Sequence, residues 1–394
     1  MSQPELLALA ADISVWPELE RFVDSPNRAH HAQLARALLA GGHPDLESAV
    51  ADGLMYGDSA AWALASEAPG LQGLLEADLG AIVHALAAVR AVSVEGDSVP
   101  ALEQLAPENA GDVLTLANML RESPEASQVY AWVQDWRTAN GGGRIARYRA
   151  FRWTDGQLQG VAHPVEPNLD HLVGVERQVD ELRRNTEAFL RGYPAMHVLL
   201  YGARGSGKST VVRGLLARYA EQGLRLIELP SQHLTHLPDV LRQIAGRPER
   251  FVVFVDDLAF EAGDARYQPI KSLLDGSIEA RPSNVRLYAT SNRRHLLQER
   301  LRDRPDPLDD DVHAWDTQHE RLALSDRFGL VVTFPIVGRD AYLDIVRSLV
   351  EVQAQGAAEG EDLAMRADRF ARSGNGYSGR TAQQFVDALR SGLT

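Results

Sequence analysis

Gly202-Ala-Arg-Gly-Ser-Gly-Lys-Ser209 decides the reading of this 394-residue chain. The stretch fits G-x-x-x-x-G-K-S. It follows the apolar run Val198-Leu-Leu-Tyr201 and opens the amphipathic stretch Thr210-Val-Val-Arg-Gly-Leu-Leu-Ala-Arg-Tyr219. Glycines let the backbone curl so that successive N–H groups face phosphate oxygens. The start of a helix adds a favourable dipole for the anion. The pattern predicts a phosphate cradle formed by Gly202, Ala203, Arg204, Gly205, Ser206, Gly207, Lys208, Ser209 and Thr210. In it Lys208 reaches the β- and γ-phosphates of ATP, and the Ser209 hydroxyl ligates Mg²⁺.

Basic-residue usage supports this placement. Of 40 basic residues, only Lys208 and Lys271 are lysines. An arginine fork does not replace a compact ammonium inside a tight phosphate cradle. One of the two lysines stands where the cradle needs it.

Downstream, Phe251-Val-Val-Phe-Val-Asp-Asp257 reads as an apolar strand delivering two carboxylates at its C-terminal end. In open α/β sheets, ligands bind at that edge. Asp256 is expected to hold Mg²⁺, through water, and Asp257 to polarise the attacking water. Ala289-Thr-Ser-Asn292 closes the next strand, and Asn292 either orients that water or makes a turn. In Leu324-Ser-Asp-Arg-Phe-Gly329, Arg327 is either a finger for a neighbouring subunit's γ-phosphate or a surface ion pair. In Tyr377-Ser-Gly-Arg-Thr381, Arg380 either leans over the nucleotide or is solvated in a helix's first turn.

The surrounding chain gives the fold class. Short apolar runs at 198–201, 224–229, 251–255, 285–289 and 330–334 alternate with helical stretches. That pattern predicts an α/β fold with a five-stranded parallel sheet covered by helices on both faces. Residues 172–337 form this core. Residues 1–140 read as an all-α N-terminal domain, from the three- and four-residue spacing in His31-Ala-Gln-Leu-Ala-Arg-Ala-Leu-Leu39 and Leu79–Val89. Prolines at 26, 44, 100, 107 and 124 fall early in the helices that follow. Residues 338–394 read as a small helical lid, with helices near 339–355, 362–371 and 378–389.

Gly141-Gly-Gly143 opens a strand-containing linker over 141–171. Its Tyr148, Phe151 and Trp153, interleaved with arginines, either stack on single-stranded nucleic acid or pack within a strand. The Asp- and Pro-rich stretch 302–319, with Asp309-Asp-Asp311, reads as a solvated loop rather than a metal site.

Composition narrows the rest. With no cysteine there is no disulfide, thiolate metal site or cysteine nucleophile. A net charge of −14 argues against broad electrostatic capture of nucleic acid. The N-terminus resembles no signal peptide, and no run approaches the ~18 apolar residues of a membrane span. A cytoplasmic location without membrane contact is expected. His30-His31 and His295 lack ligand spacing, so no metal beyond Mg²⁺ is expected, and Ser206 and Ser209 have no base for a hydrolase triad.

The five motifs in this order resemble AAA+ ATPases, which run from a P-loop through an acidic strand end, a first sensor Asn and an arginine finger to a second sensor Arg in a helical lid. The resemblance implies that Leu172-Val-Gly-Val-Glu-Arg-Gln178 packs beside the adenine, with Val173 and Gly174 lining the base pocket. It is closer still to a group of uncharacterised bacterial AAA+ proteins, a domain-of-unknown-function family. The matching segments run from Gly174–Gln178 through Asn185-Thr186, Leu199–Ser209, Gly223–Glu228, Arg247–Phe251 and Asp256–Leu258. They continue with Glu279–Asn284, Tyr288–Leu296 and Leu324–Gly329, so that the likeness covers about residues 150–390. What it implies is an ATPase fold and little more.

Asp257 departs from the class, which mostly carries Asp-Glu at the acidic strand end. Aspartate is one methylene shorter, so the site is tighter, Glu261 assists, or hydrolysis is slow. The leading expectation is a homo-oligomeric ring or open ring that couples ATP hydrolysis at subunit interfaces to remodelling a protein or nucleic-acid client. A slow ATP-dependent switch or scaffold is the alternative. A small-molecule kinase fits less well, because it needs no inter-subunit finger.

Overall fold

The computed structural model describes residues 9–25, 28–41, 43, 45–58, 61–62, 71–91, 110–260, 264–275, 282–292, 327–354, 360–374 and 376–393. Glu261, His295, the stretch 302–319 and the prolines at 26, 44, 100 and 107 lie outside the described residues. Contacts divide the chain into two compact units, Met1–Tyr148 and Arg149–Thr394.

In the first unit the described residues form α1 (Trp16–Asp24), α2 (Arg28–Gly41), α3 (Leu46–Tyr56), α4 (Gln72–Ala91), α5 (Ala110–Arg121), α6 (Ala126–Asn140) and α7 (Gly143–Arg147). Apolar residues at helical spacing close on one core, including Leu19, Leu54, Leu79, Leu116 and Val133. Asp45 caps α3 by accepting the Ser48 N–H at 2.7 Å. At the other end of α3, the Arg137 guanidinium donates to the carbonyls of Leu54 and Met55 at 2.9 and 3.0 Å, supplying donors that a helix end lacks.

Helix α4 departs from expectation. Gln72–Arg90 is long and apolar enough, by length and composition, to cross a membrane, with mean hydropathy 1.3. Its alanines spread weak apolarity around every turn, and no single unbroken run gives it away. Leu75, Leu79, Ile82 and Leu86 are buried in the helical core.

The second unit holds β1 (Ala150–Thr154), β2 (Gln157–Val161), β3 (Val198–Gly202), β4 (Leu224–Glu228), β5 (Arg250–Val255), β6 (Val285–Ser291) and β7 (Leu330–Phe334). Their order in the sheet is β2-β1-β4-β5-β6-β3-β7. The five expected strands are present and mutually parallel. The sheet is wider than expected, at seven strands, because residues 150–161 form a hairpin whose β1 pairs in parallel with β4. Asp155 (φ 51°) and Gly156 (φ 78°) make its turn, the left-handed pair that a tight hairpin uses. The strand-containing segment expected as a linker thus contributes two strands to the main sheet. Phe151 and Trp153 are 1% and 2% exposed, so the stacking alternative for these aromatics falls and the packing one stands.

Helices α8 (Glu176–Leu190), α9 (Lys208–Tyr219), α10 (Leu237–Ile244) and α11 (Tyr267–Asp275) connect the strands. Along β5 every residue from Phe251 to Val255 is buried, as a strand covered on both faces requires. Helices α12 (Arg339–Gln353), α13 (Gly360–Ser373) and α14 (Gly379–Arg390) close a separate small core around Tyr342, Val346, Ala367 and Phe385. This is the α/β arrangement that the sequence implies, a mostly parallel sheet with connecting helices, with an all-α N-terminal region. The parallel strands bring the carboxyl ends of β3, β5 and β6 to one edge, where the site lies.

Candidate nucleotide site

Strand β3 delivers the chain into the loop 203–207, which turns into α9. Two glycines are required here. Gly207 caps α9 at φ 95°, where a side chain is strained. Gly205 has φ 72°, and a Cβ there would stand 2.8 Å from the Ser378 Cβ. The Gly379 N–H donates to the Gly205 carbonyl at 2.9 Å, so loop and lid meet backbone to backbone.

Lys208, the first residue of α9, is 7% exposed. Its ammonium donates to the carbonyls of Gly202 and Ala203, each at 2.8 Å, and to Asn292 Oδ1 at 3.1 Å. Burial pushes its pKa below the ordinary lysine value, while the Asp256 and Asp257 carboxylates oppose the shift. The buried cation is fully hydrogen-bonded, as a stable buried charge must be.

At the end of β5, Asp256 Oδ1 accepts from Ser209 Oγ at 2.7 Å and from Thr290 Oγ1 at 2.5 Å. Thr290 Oγ1 in turn accepts the Asp257 N–H at 2.9 Å. Asp257 stands in the left-handed region at φ 56°, where its carboxylate accepts Asn292 Nδ2 at 2.7 Å. Aspartate tolerates that conformation better than most residues, and such backbone outliers cluster at functional sites. Lys208, Asn292, Asp257, Thr290, Asp256 and Ser209 therefore form one connected network.

A cavity of about 790 Å³ opens above it, a size suited to a nucleotide. Val173, Gly174, Arg204–Thr210, Asp256, Asp257, Asn292 and Arg380 all line it. Gly202 and Ala203 lie outside the lining, with their carbonyls turned to the Lys208 ammonium. Arg204 and Arg380 are exposed and have no hydrogen-bond or ion-pair partner among the described residues. The Ser206 hydroxyl is buried without a partner, although it lines the cavity. A phosphate chain would supply what these groups lack. Ser209 and Asp256 present two hard oxygens 2.7 Å apart, a donor set that would suit Mg²⁺.

Arg327 is not in the lining. Its Nε pairs with Asp275 at 2.7 Å and its Nη1 donates to the Tyr267 hydroxyl at 3.1 Å. Sequence reasoning passed over Thr290, which joins the two carboxylate-bearing residues. The signal was its place beside Asn292 at the end of a buried strand. Other family-matching residues serve the scaffold. The Asn185 amide and the Thr186 hydroxyl hold the buried Tyr288 hydroxyl at 3.0 and 2.9 Å, and Asn284 donates to the Ile244 carbonyl at 2.8 Å.

No curated protein matches the chain. Solved structures that resemble it include an alanine-to-serine mutant of Thermotoga maritima RuvB, at 18% identity and TM-score 0.39 over 57% of this chain and 64% of that one. A threonine-to-valine mutant of the same protein matches at 16% identity and TM-score 0.34, over 56% of this chain and 71% of that one. The T. maritima RuvB Holliday junction branch migration motor matches at 16% identity and TM-score 0.33, over the same shares. The family model described as "Protein of unknown function (DUF815)" matches residues 146–393, and the chain belongs to that family.

Proposed function

We propose that this chain is a cytoplasmic Mg²⁺-dependent ATPase, assembled into a ring or open ring, that hydrolyses ATP at subunit interfaces to remodel a protein or nucleic-acid client. The observation that carries this reading is the connected network from Lys208 to Ser209 at the base of the cavity. It joins an ammonium, two carboxylates and a first-turn hydroxyl in one chain of hydrogen bonds beside the loop 203–207. Lys208 and the loop amides bind the β- and γ-phosphates. Ser209 and Asp256 hold the metal, which neutralises charge on the phosphates. Asp257 and Asn292 orient the attacking water, and Arg380 covers the phosphates from the lid. Val173 and Gly174 border the base. The helical region 1–140 recognises the client, and residues 338–394 act as the lid.

Arg327 acts on a neighbour's nucleotide. Its partners hold it at α11, outside its own cavity. Size measurement with and without a slowly hydrolysed ATP analogue tests the assembly, which should grow with nucleotide. Arg327→Ala should lower ATP turnover by roughly a thousandfold, as loss of an arginine finger does, with ATP affinity within about threefold of the parent. Turnover at the parental rate would refute the interface role.

A second reading is a slow ATP-dependent switch. Asp257 favours it, since its carboxylate is engaged by Asn292 and its backbone is in the left-handed region. Steady-state turnover separates the two: a rate well below 1 per minute in the assembled state selects the switch.

A further inference from the structure

Tyr267 and Asp275 are the first and last residues of α11, and both meet the Arg327 guanidinium. A guanidinium has five N–H donors in a fixed plane. The Tyr267 hydroxyl takes one on Nη1, and the Asp275 carboxylate stands 2.7 Å from Nε as an ion pair. Among the described residues the guanidinium has no hydrogen bond or ion pair besides these two. The group is therefore held at two of its three nitrogens, and a guanidinium grips two oxygens of a phosphate at once when it has two free donors side by side. With side-chain exposure of 25% for Arg327 and 35% for Asp275, the pair is partly shielded from water.

The clamp is itself anchored. The Tyr267 ring packs edge-on against Phe260, with centroids 5.9 Å apart at 88°. Phe260 is 1% exposed and follows Asp257 by three residues. Between them, the Leu258 N–H donates to the Thr290 carbonyl at 2.7 Å, and the Leu258 carbonyl accepts the Ser291 hydroxyl at 2.9 Å. The segment that ends at Phe260 is thus fixed to the carboxyl end of β6.

We propose that Tyr267 and Asp275 are positioning residues for Arg327, holding its Nη edge toward the nucleotide of the adjacent subunit. This inference rests on the interface reading proposed above. Asp275 fixes the guanidinium plane through Nε, and Tyr267 fixes its rotation through Nη1. Neither residue lines the chain's own cavity, so neither should contact its own ATP. Misplacing a reacting group by about 1 Å costs roughly a hundredfold in rate at most. Asp275→Asn, which keeps shape but loses charge, should lower kcat about tenfold with KM for ATP nearly unchanged.

Mixed assemblies provide the test. Asp257→Asn subunits hold ATP, do not hydrolyse it, and still lend an arginine. Arg327→Ala subunits keep an intact site and need a neighbour's arginine. Mixing the two inactive proteins should recover turnover. Asp275→Asn or Tyr267→Phe placed in the Asp257→Asn subunit should cut that recovery about tenfold. The same changes placed in the Arg327→Ala subunit should leave it as it was. Equal loss on either subunit, or no loss on either, overturns the positioning role while leaving the interface reading intact. No recovery on mixing overturns the interface reading and this inference with it. Thermal unfolding and analogue binding of each variant identify any that lose the fold, and Tyr267→Phe, which keeps the ring against Phe260, is the milder of the two changes.

Discussion

The two ends of the cavity are built on opposite plans. At the phosphate end, Lys208, Asn292, Asp257, Thr290, Asp256 and Ser209 are already hydrogen-bonded to one another. At the apolar end two of the lining side chains stand out into the cavity's surroundings, Ile336 being 83% and Val352 50% exposed. The difference teaches where each kind of binding energy comes from. Prearranged polar groups need no reordering when charge arrives. Exposed apolar groups gain only when a flat, apolar partner covers them. The phosphate end should therefore set affinity and rate, and the apolar end should set the preference for a base.

The largest expected effect breaks the phosphate end outright. Lys208→Ala removes the buried ammonium and leaves the Asn292 amide oxygen and two loop carbonyls without their donor. Truncating one member of a buried charge pair costs about 2–5 kcal/mol. ATP affinity by calorimetry should fall by roughly thirtyfold or more, and tripolyphosphate affinity should fall in parallel. If the two ligands part company, the proposed division of labour between the ends is wrong.

Thr290→Val is the next step down. It keeps shape but removes the hydroxyl that donates to Asp256 and accepts the Asp257 N–H. Leaving buried polar groups unpaired costs about 1–3 kcal/mol. Turnover should drop roughly tenfold, since both carboxylates lose their brace, with a lower unfolding temperature. An unchanged kcat would show that the brace is ornamental.

Alkaline pH probes the same end without mutation. Burial lowers the Lys208 pKa below the ordinary 10.5, so the folded chain releases this proton at a lower pH than the unfolded chain does. Between the folded and unfolded values the unfolded chain binds more protons, so this group's effect on stability rises with pH there. Nucleotide affinity moves the other way, because the neutral amine no longer attracts phosphate. A titration of ATP affinity should show the fall beginning below 10.5 and should vanish in Lys208→Ala. A fall that persists in the variant assigns it elsewhere.

The smallest effect sharpens the apolar end. Ile336→Ser removes an apolar face that only a bound base would cover. The loss is about 1 kcal/mol, or roughly fivefold in ATP affinity, with tripolyphosphate affinity untouched.

Much of this architecture could be read from the sequence because its signals are local. The runs at 198–201, 251–255 and 330–334 are short, β-branched and unbroken by charge, and each became a strand where expected. The loop 202–209 carries its own turn chemistry in its glycines. The β1–β2 hairpin was less visible. Its Asp155-Gly156 turn is a recognisable signal, but the flanking Arg152, Gln157 and Gln159 mask the alternation, and only pairing with β4 makes it part of the sheet. The apolarity of α4 is spread too thinly over alanines to show as a run. The surroundings of Arg327 were invisible for a different reason. Tyr267 and Asp275 precede it by 60 and 52 residues, and nothing near Leu324–Gly329 announces them. Thr290 lay in plain view next to Asn292, yet its role depends on Asp256 and Asp257 arriving from another strand.

One peptide contact bears on how the chamber empties. Where the amide of Gly379 meets the oxygen of Gly205, the roof is pinned to the floor beside the place where the spent γ-phosphate would sit. Any displacement of the roof must break this backbone bond or carry the loop 203–207 with it.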